Sequence, residues 1–313
     1  MKTLSEIAEH LSQIDLMRTS TSAVLDVMRQ IPKLGMVGFE LQKGQPILRT
    51  RTRGGEFPLS WRTERDITYP DAGRAAHGRA SFQGNPVFYG CVGKLEDFEV
   101  ARQLSIHEAN KLMHDPSFAH AEEFAVVGNW RVQHPVNVIA VVQSTRLHGK
   151  NVALREEHER YLHELDTTVE DKEGCIKLST FLADEFSKEV IRENGWEYKI
   201  SAAFSQRVME MGMDGVAYPS ARAEGDGNAY NVALKPEVID GSCKLVAAYA
   251  YRLIKHDHKT LVPLPYLGDR AVTSAFEWHD PGPMPRPHLL REQLRRQHER
   301  DAEVPDEEIR ATT

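Results

Sequence analysis

Residues 214–240 read DGVAYPSARAEGDGNAYNVALKPEVID: two short apolar runs, 215–218 and 231–234, separated by a segment rich in Gly, Asp, Asn and Ser. Runs of this length bounded by turn residues read as paired strands. Proline cannot donate to a ladder, so Tyr218-Pro219-Ser220 should end the first strand at its rim. Gly225, Gly227 and Asn228 then lead the chain away with ordinary turn chemistry. Ser220 lacks the Gly-x-Ser-x-Gly elbow of a nucleophile, which leaves it a hydrogen-bonding role.

Outward from this stretch, strand and helix signals alternate without an internal repeat. Upstream, 199–212 suits a helix, 152–192 two helices, 124–142 two strands around Asn129-Trp130, and 95–113 one or two helices. NPVFYG, 85–90, reads as a buried strand, and 54–85 as a long irregular loop of the kind that carries chemistry. Alternation over 36–52, with Lys43-Gly44 as its turn, predicts a hairpin ending in ILRTRT. Leu4, Ile7, Leu11 and Ile14, then Val24, Val27, Met28 and Ile31, predict two amphipathic helices within 3–32, covering a sheet. Downstream, 245–254 closes the sheet or forms a last helix, and after Asp280 prolines followed by dense charge read as linker and tail. The expected organisation is an N-terminal helical extension (1–35), a main α+β domain (36–278) and a Pro- and charge-rich tail (279–313).

The 313 residues carry a formal charge of −7, which argues against a protein built around nucleic acid or a membrane surface. The first twenty residues have acids where a signal peptide needs an apolar run, and the longest apolar patches are too short to cross a bilayer. Cys91, Cys175 and Cys243 are odd in number and widely spaced, which suits buried thiols in a reducing cytoplasm better than disulfides or zinc. His107-Glu108 and His163-Glu164 each start a His-Glu-x-x-His match but lack its second histidine, so no metal is expected. Neither a Gly-x-Gly-x-x-Gly turn nor a phosphate loop is present.

The segment from Arg49 to Arg79 holds seven arginines (49, 51, 53, 62, 65, 74, 79), no lysine and four acids (56, 64, 66, 71), giving +3 in an acidic chain. Guanidinium forks grip phosphate in a bidentate way that ammonium cannot; the alternative is a solvated loop with surface ion pairs. Glu108 in SIHEANKLMH and Glu99 in EDFEVARQL both lie on helical patterns, where most glutamates are merely solvated.

Read in order, ILRTRT, DITYPD, GRASFQGNPVFYG, SIHEANKL, VVGNWRV, DGVAYPS and NVALKPEVID resemble the RES-domain family, over about residues 47–255. The resemblance implies an ADP-ribosyltransferase-like α+β fold, with antiparallel sheets around an NAD cleft and helices outside. It implies cleavage of the nicotinamide–ribose bond of NAD as a glycohydrolase or phosphorylase, in a toxin-type protein with a helix-turn-helix antitoxin as partner. ADP-ribosyl transfer to a protein, or a non-catalytic member binding nucleic acid or a partner, are the alternatives. Carried over by position, the family's arginine falls on Arg49 with Arg51 as the alternate, its glutamate on Glu108 with Glu99 second, and its serine on Ser220. Arg51, Arg79, Tyr89, Tyr218 and Asn231 complete the implied NAD-binding set; Ser81 stands where the family has asparagine. The expected protein is cytoplasmic, takes NAD as substrate without a metal, avoids membranes and direct nucleic-acid binding, and leaves homo-oligomerisation open.

Overall fold

A computed structural model describes residues 2–31, 34–53, 61–93, 98–110, 121–142, 159–163, 165, 171–188, 190, 195–220, 229–255, 261–269 and 276. The chain opens with two helices, α1 (Leu4–Ser12) and α2 (Thr21–Arg29), each begun by a hydroxyl cap: Thr3 accepts from the Glu6 amide and Ser20 from the Ala23 amide. Strands β1 (Gly38–Leu41) and β2 (Pro46–Arg53) follow, then the short α3 (Glu64–Ile67), β3 (Phe88–Gly93), α4 (Phe98–Ala109), β4 (Ala121–Val132) and β5 (Val136–Ala140). Helices α5 (Lys172–Phe186) and α6 (Lys199–Glu210) lead into β6 (Gly215–Tyr218), β7 (Ala229–Leu234), α7 (Pro236–Ser242), β8 (Cys243–Lys255) and β9 (Leu261–Asp269). This is an α+β fold.

The strands form one nine-stranded sheet in the order β1-β5-β6-β7-β3-β2-β4-β8-β9, antiparallel except for β5 beside β6. The expected pairing of β6 with β7 is present, with Tyr218 opposite Asn231. The expected hairpin over 36–52 is not. β1 pairs with β5, and β2 with β3 and β4, because Gly44 at φ 87° turns the chain across to the Val132 carbonyl and away from its neighbour in sequence. Nor does Asn129-Trp130 separate two strands; it lies within β4 opposite an extra residue, Val246, on β8, and β8 is a strand, not a helix. The tail after 279 lies outside the described residues.

Side-chain alternation gives each face of the sheet its own core. On one face α1, α2, α5 and α6 pack over β6 and β7, burying Ile7, Leu11, Val24, Met28, Leu178, Leu182 and Phe186 against Val216, Tyr218 and Ala233. At about 1.5–3 kcal/mol for each fully buried large apolar side chain, this ties the N-terminal helices to the main body as part of its core. On the same face, α4 covers Leu48, Cys91, Ala125, Val127 and Ala229. The opposite face buries Ile47, Phe88, Val92, Val126, Trp130 and Val232 beneath Trp61, Ile67 and Ile239. No helix among the described residues is long and apolar enough to cross a membrane.

Candidate functional site

The two apolar clusters of the helical face leave a polar row between them. At its centre is Asn231 on β7, buried at 4 % exposure, with Tyr218 of β6 opposite it on one side and Cys91 of β3 on the other. Glu108 comes down onto this row from the last turn of α4. Its Oε1 accepts from Asn231 Nδ2 at 2.9 Å and from Ser220 Oγ at 2.5 Å. Ser220 lies two residues beyond the end of β6 and is 3 % exposed. Two donors from different segments, 112 and 123 residues away in sequence, thus fix one carboxylate oxygen. Charge-assisted bonds of this kind are the strong ones.

A further bond orients the amide. Cys91 Sγ donates to Asn231 Oδ1 at 3.1 Å, so the amide nitrogen is turned toward Glu108. Burial, then the Glu108 carboxylate, push the Cys91 thiol well up, and the Arg49 guanidinium pulls the other way. Cys91 therefore lies within electrostatic reach of both the acid and the arginine. The Tyr218 hydroxyl is likewise raised, by burial first and then by Tyr89 and Glu108.

Arg49 occupies the place where the sheet divides. β2 and β3 pair only at Ile47 with Val92 and Leu48 with Cys91; beyond that β2 follows β4 and β3 follows β7. Arg49 spans the resulting fork, donating from Nη1 to the Tyr89 carbonyl at 2.6 Å and from Nε to the Ile67 carbonyl at 3.2 Å, with its head 5.2 Å from the Phe88 ring centre. All these partners are neutral. Burial, then Arg51, lower its guanidinium to about 9. Alternation along β2 turns Leu48, Thr50 and Thr52 to α4, where Thr50 meets the Ser105 hydroxyl at 2.8 Å, and turns Arg49 and Arg51 to the other face. Glu108, Ser220 and Asn231 are in direct contact; Arg49 lies on the opposite face of the sheet with Ile67 and Phe88, and meets the Tyr89 carbonyl at the fork.

The remaining candidates separate. Glu99 is exposed on the first turn of α4 and paired with Arg102, away from the Ser220 cluster. Arg51 donates to the Thr68 carbonyl at 2.7 Å and lines a cavity on the far side of β2. Arg79 donates to the Phe186 carbonyl at 2.5 Å and lies over the Tyr198 ring, joining its loop to the end of α5. The Tyr89 hydroxyl accepts from the Ala80 amide and meets Ser81 Oγ, both at 2.9 Å, and the Tyr218 ring packs on Phe186. Both tyrosines are thus integrated into the packing, and Ser81 braces Tyr89. Cys91 was missed by reasoning from sequence, since its role depends on a cross-strand neighbour 140 residues away. No group of three or more His, Cys, Asp or Glu placed to hold a metal occurs among the described residues.

No family model matches the chain, and no curated protein matches it either.

Proposed function

We propose that the chain cleaves the bond between nicotinamide and ribose C1 of NAD, delivering ADP-ribose to water or phosphate. The observation that carries this reading is the convergence of Ser220 and Asn231 on one oxygen of Glu108. Glu108 and Ser220 are two of the three residues onto which the resemblance to the RES domain carries the family's named positions; the third, Arg49, is not part of this contact.

The nicotinamide nitrogen is already cationic in NAD and departs neutral, so no acid is needed to protonate it, and one carboxylate can serve where ordinary glycosidases need two. Glu108 stabilises the oxocarbenium charge that develops on the ribose. Its rotamer is held by Ser220 and Asn231, so little reorganisation is required as that charge forms. Arg49 holds the pyrophosphate and so aligns the ribose with the carboxylate. In the toxin reading, a helix-turn-helix antitoxin covers this cleft. Transfer to a protein would use the same pocket with a different acceptor.

Incubation of the purified chain with NAD, followed by chromatography for nicotinamide, tests the proposal. Glu108→Gln should lower the release rate by about 10²–10³-fold, the cost of removing one aligned electrostatic group, with an unchanged circular dichroism spectrum. Retained activity in Glu108→Gln together with its loss in Glu99→Gln would place the acid elsewhere. Intact NAD after prolonged incubation with wild type would refute the activity. Labelled protein in place of soluble ADP-ribose identifies the transferase alternative.

A further inference from the structure

A polar cavity of about 260 Å³ lies on the face of β2 opposite α4, bounded by Arg51, Arg65 and Arg74 with Asp66, Trp61 and Tyr69. Its charges do not balance locally. Asp66 Oδ2 accepts from the amides of Arg62 and Thr63, each at 2.8 Å, and from the Thr63 hydroxyl at 3.0 Å. Although burial works against it, these bonds hold its carboxyl below the usual range, committed to the start of α3. Asp71 at the rim takes Arg74 at 2.6 Å through one oxygen and Arg65 through the other. Three guanidinium groups therefore face two carboxylates.

Arg51 is the unsatisfied member. Nη2 donates to the Thr68 carbonyl, while Nε is buried with no hydrogen-bond acceptor among the described residues. Burial, then Arg74, depress its guanidinium, and an anion held in the cavity would offset both. Arg65 is steadied over the Tyr69 ring at 4.9 Å, and the Tyr69 hydroxyl is tied to Asp240 at 2.6 Å. These contacts hold the arginine forks in place before a ligand arrives.

We propose that this cavity binds a phosphate dianion, either inorganic phosphate or the phosphate of a small sugar ester, between Arg51, Arg65 and Arg74. A tetrahedral anion offers enough oxygens for three forks, where a carboxylate offers two. The volume is small beside the roughly 300–1,000 Å³ of pockets for drug-sized ligands, so a phosphate with a small carrier fits and a dinucleotide does not. Trp61 and Tyr69 supply walls for the carrier. The site is separate from Glu108 and stands whether or not NAD is cleaved. It assigns Arg51 to this ligand in place of the dinucleotide.

Isothermal titration of inorganic phosphate and of ribose 5-phosphate into the full chain, at ionic strength held with chloride, tests it. The side chains of Arg65 and Arg74 are 51 % and 75 % exposed, so Arg65→Ala and Arg74→Ala leave the fold intact. Each should weaken binding about tenfold, the loss expected for one charge-assisted bond, while Arg29→Ala, a surface arginine paired with Glu210, should not change it. At least tenfold tighter binding of inorganic phosphate identifies the free ion as the ligand, at least tenfold tighter binding of the sugar ester identifies the ester, and equal affinity shows that the site reads the phosphate group alone. No saturable heat with either probe, or equal affinity in wild type and the Arg65→Ala/Arg74→Ala double variant, would overturn the proposal.

Discussion

Arg49→Met asks whether a buried guanidinium with only neutral hydrogen-bond partners among the described residues serves the fold or a ligand. The depression from an ordinary 12.5 to about 9 corresponds to about 5 kcal/mol against the charged form at 1.36 kcal/mol per pH unit. For a base lowered on folding, the cost is fully present below about 9, where both states are protonated, and is relieved only as pH rises toward 12.5. Against it stand two hydrogen bonds from the charged head to the Tyr89 and Ile67 carbonyls, about 2 kcal/mol each, and the Phe88 ring contact, about 1 kcal/mol. The terms nearly cancel. Arg49→Met should therefore change stability at pH 7.5 by no more than about 1 kcal/mol, measured by urea denaturation. The same variant should raise KM for NAD about ten- to a hundred-fold, the loss of charge-assisted bonds to pyrophosphate. A loss above about 3 kcal/mol with KM unchanged would show Arg49 to be a structural brace.

Burial raises all three thiols, Cys243 to about 12, so no cysteine of the native chain should react with a disulfide reagent at pH 8, while all three should react in denaturant. A Cβ at Gly215 would overlap the Ala233 carbonyl where β6 meets β7, so Gly215→Ala should cost at least about 3 kcal/mol by denaturant titration. Gly73→Ala, where a Cβ would meet nothing, should be within about 0.5 kcal/mol of wild type. Tyr161→Phe removes a buried 2.7 Å bond to the Ser179 hydroxyl and should cost about 1 kcal/mol.

Local periodicity made the elements legible and left their partners obscure. Leu4, Ile7 and Leu11 mark α1 because a helical stripe repeats every three or four residues within the same short segment. The alternation over 36–52 marks two strands equally well, yet says nothing about β1 crossing to β5, which lies about a hundred residues on. Pairing is decided by burial on both faces of a sheet, information that no single strand contains. The site divides in the same way. Ser220 was legible because Pro219 must end a ladder, and Glu108 gained its place from order along the chain and not from its helix. That Arg49 and Arg51 share the face turned from α4 follows from their spacing of two, but which face that is depended on Leu48 and Thr50 packing under α4.

The Asn231 amide offers the sharpest probe of the cluster, because Asn231→Asp keeps its shape and changes only its proton demand. The replaced nitrogen lies 2.9 Å from Glu108 Oε1. Two carboxylates at that separation repel by about 5 kcal/mol at an effective dielectric near ~20, so one must stay protonated in the folded state. An acid raised on folding adds its stability below the unfolded value near ~4 and loses it as pH rises toward the folded value. The difference from wild type should thus be small at pH 4.5 and grow to about 2–4 kcal/mol by pH 8, in parallel urea titrations. Asn231→Ser, which brings no charge, should show a constant difference across the same range. Cys91 follows the same logic, since its donated proton suits either an amide or a carboxylate oxygen and gives no escape from the repulsion. A flat profile for Asn231→Asp would mean that position 231 does not face the glutamate, and the carboxylate would lose the donor that aims it.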